Sequence, residues 1–400
     1  MKKQNWYSSK ILSIIISFAL ICTAFVVPFT VSADDTAAGT DEKIWNGTVA
    51  TEFSSGTGTK DDPYVIANGE QLAHLTTTVT PKDTVGKYYR LDNDIYLNDV
   101  TKDDWYKANQ NPNTWLFKDN KEWEYFAGNF NGNGHTVYGL YKTCEDNDNN
   151  DNKHAALFGA VGGGAVIENL RISKAYIYST NLDVYAYISA LAAYRHNDGT
   201  LTIRNCVVDN TVQITAIDAS IGAFVGYMAP SAGATTIENC YSGAKISSKK
   251  SSWNKELTQA CMFVGGRTEN ASSKVNIKNS YAIGDFKLAL SSDTVKPTIT
   301  NSYTSYSDSN EEGVTVLSKA QMTGAAAKRN MNLLDYKNLW YAESGKTPML
   351  QIFCNDDVLK NSEDLWNVWN GTVATEFSSG TGTEADPYVI ANGEQLAHLT

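Results

Sequence analysis

The chain has 400 residues, of which 33 are Lys or Arg and 44 are Asp or Glu, giving a formal charge of −11. A surplus of acid on that scale excludes a general nucleic-acid binder and an anionic-membrane binder, because both need a basic surface. Apolar residues make up 42% and charged ones only 19%, with 22 Tyr. The apolar content excludes wholesale disorder, and the low charge suits extracellular β-structure better than a helix bundle.

Lys2, Lys3 and Lys10 precede an apolar run from Ile11 to Phe29, and Val31-Ser32-Ala33 ends it with small residues. The pattern predicts a secretory signal peptide over 1–33, cleaved after Ala33. An uncleaved anchor is the rival reading, since the run approaches the length of a bilayer span. No other stretch is long and apolar enough to cross, so no membrane span is expected after cleavage. Five cysteines follow: Cys144, Cys206, Cys240, Cys261 and Cys354. An odd number without a CxxC pattern predicts small buried hydrophobes, with a Cys206–Cys240 bridge as the alternative.

Residues 34–44 read as a linker, and a module occupies 45–355. It opens with WNGTVATEFSSGTGTKDDPYVIANGEQLAHLT (45–76), where Asn68 and Gln71 announce a short helix carrying Leu72 and Leu75. Next, Arg90, Asp92 and Asp94 alternate along an expected strand whose Tyr89, Leu91, Ile95 and Leu97 face inward. A carboxylate pair beside an arginine is the best enzymatic candidate here, for a lyase using bound calcium and a basic side chain. A charged outer strand face explains the same residues without chemistry.

The polar insert 101–125 carries Trp105, Trp115 and Trp123, either a platform for sugar rings or packing against the fold. His135, in an NGNGH turn, is expected to be structural, and no HExxH motif is present. In the acidic run 145–151, Asp146, Asp148 and Asn150 have the alternate spacing of a calcium loop's first ligands. The turn Gly is Asp151 and the bidentate Glu position is Leu157, which excludes an EF-hand. A solvated loop and a weak calcium site both remain open; no other cofactor is implied.

A repeat then dominates. VIENLRI, TIRNCVV, TIENCYS, NIKNSYA and TITNSYT align on Asn169, Asn205, Asn239, Asn279 and Asn301, each with Ile two places before it. A fixed strand–turn–strand signature at unequal spacing is expected of a solenoid with loops of varying length. Ile should stack on Ile inside, and Asn should take left-handed corners and hydrogen-bond its counterpart one coil away. Tyr241, Tyr281 and Tyr303 share one outward position and predict a surface aromatic ladder. At the end, Ser318 and Gln321 start a second helical stretch, and Trp340, Met349 and Leu350 are expected to close the open core.

Residues 356–368 read as a linker. Trp369 to Thr400 then repeats Trp45 to Thr76 except for Glu384 in place of Lys60 and Ala385 in place of Asp61. This reads as the truncated start of a second, tandem copy of the module.

The segments 56–75, 88–97, 126–140, 156–170 and 317–350, in this order, resemble the GLUG-motif β-helix proteins of bacterial surfaces. The resemblance implies an all-β fold, a right-handed parallel β-helix (solenoid) with short helical caps at both ends. Related β-helices occur beside the catalytic parts of secreted immunoglobulin A metallopeptidases and in large adhesins, and the group has no common catalytic residues. The expected function is therefore a non-catalytic, secreted or cell-surface module for adhesion, contacting a glycan or an extracellular protein surface. The alternatives are a polysaccharide lyase or hydrolase and an accessory region of a larger secreted peptidase.

Overall fold

The computed structural model describes residues 44–78, 80–108, 111–117, 125–144, 154–180, 186–249, 259–267, 273–290, 296–354, 372–390 and 393–399. Within them the chain winds as parallel coils. A full coil has five strands, for example Ala165–Glu168, Arg171–Ser173, Tyr176–Ser179, Tyr187–Ser189 and Ala192–Arg195. The strands of successive coils pair in parallel, so each position becomes one face of a tube. The first and second faces are eight strands deep and the third, fourth and fifth are four deep.

The repeated Ile sets the register. Phe130, Ile167, Ile203, Ile237, Ile277 and Ile299 are direct partners in successive strands of the first face. The four central Ile are fully buried and belong to one continuous core. No single strand could bury its apolar side alone; stacking does so at about 1.5–3 kcal/mol per large aliphatic side chain.

The corner between the first two faces is made by Asn. Asn169, Asn205, Asn239, Asn279 and Asn301 all have positive φ, between 47 and 54°, a region that Asn tolerates better than other side-chain-bearing residues. Their amides form the expected ladder: Asn205 Nδ2 donates to Asn169 Oδ1 at 3.0 Å, Asn239 to Asn205 at 3.2 Å and Asn301 to Asn279 at 3.2 Å. The next residue turns inward, which buries Leu170, Cys206, Cys240, Ser280 and Ser302. All five described cysteines are free; Cys354 alone is only partly buried.

The fourth and fifth faces meet at a turn too tight for side chains. A Cβ on Gly226 would lie 2.8 Å from Ile188 N, and one on Gly222 would lie 2.1 Å from Val225 O. Gly222 and Gly226, in the segment IGAFVGY (221–227), mark this close backbone approach.

At the start, the Gly69–Thr77 helix is N-capped by Asn68, which accepts from Gln71 N–H at 3.0 Å. Leu72 and Leu75 enter the main core beside Ile66 and Leu91. At the other end, the Ser318–Gln321 capping box forms as expected and leads into a 3₁₀ turn, Lys319–Met322, and the Gly324–Asn330 helix. Trp340 and Leu350 do not join the main core, contrary to expectation. They belong to a separate cluster with Met322, Met331, Leu334 and the three Tyr of the repeat, because the 319–353 segment lies on the outer side of the second face. No helix among the described residues is long and apolar enough to cross a membrane.

Candidate functional site: an aromatic outer face

The expected tyrosine ladder exists but is covered. Tyr241, Tyr281 and Tyr303 pair in register on the second face, and the Tyr241 and Tyr281 rings stack at 4.5 Å. Their exposures are only 3, 0 and 2%, because the 319–353 segment packs on them. Tyr281 Oη donates to the Pro348 carbonyl, and its ring tilts against Trp340 at 5.3 Å. Burial pushes the Tyr241 phenol up to about 12 and raises Tyr281 as well. These residues hold a segment in place and cannot meet a ligand.

The tryptophans of the insert are also internal. Trp115 is fully buried, donates Nε1 to Leu157 O at 2.8 Å and meets Trp45 edge-on at 5.1 Å. Trp105 is 3% exposed in a cluster with Tyr96, Val100 and Tyr138. Packing therefore replaces the sugar-platform reading for both. Trp123, Asp146, Asp148 and Asn150 lie outside the described residues. Among the described residues, no three His, Cys, Asp or Glu side chains converge as a metal site.

The charged strand dissolves into separate structural roles. The strand ends at Leu91, so Asp92, Asn93 and Asp94 form a corner, while Tyr89, Leu91, Ile95 and Leu97 point inward as expected. Arg90 and Asp92 make an exposed ion pair at 3.1 Å, a type worth little in water. Asp94 Oδ1 accepts from Thr136 N–H at 2.8 Å and lies 3.3 Å from His135 Nδ1, tying one coil to the next.

The half-exposed aromatics lie elsewhere, where the fourth and fifth faces meet. Tyr187 stacks on His154 at 4.7 Å in the coil before it and on Tyr227 at 4.4 Å in the coil after it. Tyr194 and Tyr227 are register partners, with rings 6.2 Å apart and 6° from parallel. Tyr187, Tyr194 and Tyr227 are each part-exposed. Rings stacked this closely occlude one another's faces, so the row offers solvent its edges and its phenol rim.

A polar cluster terminates the row. Tyr194 meets the His196 ring at 6.4 Å, and His196 stacks on Tyr125 at 4.3 Å. Tyr125 Oη donates to Asp198 Oδ2 at 2.7 Å, and the same carboxylate oxygen is 3.6 Å from His196 Nδ1. Burial, then the Asp198 contact, pushes the Tyr125 phenol up to about 12. The loop beneath is fixed by buried Arg195, which donates to the carbonyls of His196, Asp198 and Gly199. Asp198 is well exposed and Tyr125 part-exposed beside the aromatic strip, while the His196 side chain between them is only 12% exposed. Such a set can accept and donate hydrogen bonds to hydroxyls, and it can also exchange protons.

A second aromatic group covers the third face: Tyr106 of the insert stacks on Tyr176 at 3.9 Å, and Tyr141 lies 5.9 Å from Tyr176 on the other side. Neither group was singled out from the sequence. The signal is present, since Tyr194 and Tyr227 recur one coil apart much as Asn205 and Asn239 do.

No family model matches the chain, so no matching model supports the GLUG resemblance. No curated protein matches it either. One solved structure does: a crystal structure from Bacteroides ovatus, named as a candidate immunoglobulin A1 protease. It is 18% identical over 75% of this chain and 95% of that one, with a TM-score of 0.45.

Proposed function

We propose that this chain is a non-catalytic module of an exported protein that contacts glycans or matrix through the outer side of its fourth and fifth faces. In this reading the coils form a right-handed parallel β-helix, the hand that almost all parallel crossover connections adopt. The Gly69–Thr77 helix then shields its first end from edge-to-edge pairing. Leader removal and a secreted or cell-surface location belong to the same reading, carried by the sequence of residues 1–33.

One observation carries the proposal: the Tyr187–Tyr227–Tyr194 row is part-exposed and runs into the Tyr125–His196–Asp198 cluster. Stacked rings are rigid before a ligand arrives, so binding costs little side-chain entropy. The phenol rim and Asp198 supply acceptors and donors at coil spacing, as a polyhydroxylated chain requires. Aromatic contacts contribute about 0.5–1.5 kcal/mol each if aromatic-pair values transfer. A single module would bind weakly, and tandem copies would gain through effective concentration.

A glycan array and a turnover screen with the whole chain test this reading. Binding without turnover supports it. Turnover that Asp198→Asn abolishes would replace it with a polysaccharide-active enzyme, the reading that the adjacent acid, imidazole and phenol favour.

A further inference from the structure

We infer that Tyr106 and Tyr176 form a site of oxidative cross-linking, where a one-electron oxidant joins the insert to the third face through a dityrosine bond. Tyr141, Tyr176, Gln213 and Lys245 are direct partners in successive strands of that face. Tyr106 comes from the insert, on the four-residue helix Trp105–Ala108, and lies over this column. Its ring is stacked on Tyr176, with centroids 3.9 Å apart and planes 10° from parallel, and its hydroxyl donates to Gln213 Oε1 at 3.3 Å. Trp105 beside it is buried in the cluster with Tyr96, Val100 and Tyr138. The two phenols are therefore held together before any reagent arrives, and both are part-exposed. A bond between groups placed in this way needs no bimolecular encounter of the two rings.

Other stacked tyrosines lack one requirement or another. Tyr241–Tyr281 and Tyr96–Tyr138 stack at 4.5 and 4.9 Å, but all four rings are buried away from an oxidant. Tyr187 and Tyr227 are part-exposed at 4.4 Å, but both rise from strands paired on each side, which fix their backbones. Coupling requires two ring carbons to close from stacking distance to a bond, and Tyr106, outside the strand ladders, can follow its ring. The chemistry balances with hydrogen peroxide and a haem peroxidase as the oxidant. Each phenol gives up one electron and one proton, and the peroxide becomes two waters. The two radicals join through ring carbons ortho to oxygen, and the hydrogen on each of those carbons passes as a proton to the phenolic oxygen. One C–C bond forms, two C–H bonds break and both rings are again phenols. The link closes a loop between the insert and the coils, restricting the unfolded chain as a disulfide does.

The test treats the full chain with hydrogen peroxide and peroxidase, in buffer and in denaturing urea, and follows dityrosine fluorescence and digested peptides by mass spectrometry. Expected in buffer is a peptide containing Tyr106 joined to one containing Tyr176, two hydrogen masses lighter than their sum, in a yield independent of protein concentration. Urea should abolish that link, because the stacking that directs it is gone. Tyr106→Phe and Tyr176→Phe should each remove the fluorescence, and the oxidised wild type should unfold at higher denaturant than the untreated chain. Fluorescence that survives in both variants, links formed only between chains, or an equal yield of the Tyr106–Tyr176 link in urea would overturn the inference. The pair lies on the third face, so this result is read apart from glycan binding and does not depend on it.

Discussion

Asn205 donates its side-chain amide to Asn169 Oδ1 one coil away at 3.0 Å, while both backbones stand in the left-handed region at φ 51 and 54°. The same Asn205 accepts from Asn239 at 3.2 Å. Asn thus serves two needs at once, a corner that disfavours most side chains and a hydrogen-bond chain along the tube.

The two needs can be separated by mutation. Asn205→Gly keeps the corner and loses two ladder bonds, an expected cost of about 1–2 kcal/mol. Asn205→Ala also places a Cβ in the left-handed region, adding about 1–2 kcal/mol. Urea unfolding of both variants should therefore rank Ala below Gly. Equal destabilisation would mean that the corner geometry contributes nothing beyond the hydrogen bonds.

Tyr281 should act on stability and not on ligand binding. Its ring is fully buried against Trp340 and Tyr241, so Tyr281→Ala is expected to cost about 3–5 kcal/mol and to expose the 319–353 segment to protease. Limited proteolysis checks this, with Leu339 and Tyr341 as cleavage sites that the wild type protects.

Alkali should weaken the same contact. Burial raises the Tyr241 phenol from 10.0 to about 12 in the folded chain, so the unfolded state loses its proton first. Between those values the unfolded state binds fewer protons than the folded one, and stability falls as pH rises. The contribution is fully present below pH 10 and is lost progressively towards pH 12. Denaturant midpoints at pH 9, 10.5 and 11.5 should descend in that order, and less steeply in Tyr241→Phe.

Thiol reactivity reports the inward stack. Cys206 and Cys240 are 2 and 0% exposed, so neither should be reached by a disulfide reagent in the native state, and burial also pushes the Cys240 thiol well up. Cys354 is partly buried and should react first, though slowly, because burial lifts its thiol to about 11. Rapid native labelling of Cys206 or Cys240 would contradict the packing described.

The solenoid was legible because its determinants are local. Ile-x-Asn encodes an inward side chain and a left-handed corner within three residues, and repetition multiplies the signal. The outward position of Tyr241, Tyr281 and Tyr303 was legible for the same reason. Their burial was not, because it depends on the 319–353 segment folding back over the second face, a long-range contact that no strand pattern encodes. Trp340 and Leu350 show the same limit: an apolar cluster after the last coil requires a partner surface without specifying which one. A period of two extended past Leu91 misplaces Asp92 and Asp94, because the backbone turns there. Tyr194 and Tyr227 repeat at nearly the Asn spacing, but Tyr187 joins them from a different face, a contact that no spacing encodes.

The central claim is that the part-exposed row, and not the covered one, meets the ligand. Its most direct test is glycan-array binding by the wild type, a Tyr187→Ala/Tyr227→Ala variant and Tyr303→Phe, each first shown to keep its cooperative unfolding transition. The account predicts binding by the wild type, retention in Tyr303→Phe and a loss of about 5- to 150-fold in the double variant, as two aromatic contacts imply. Undiminished binding in the double variant would contradict it.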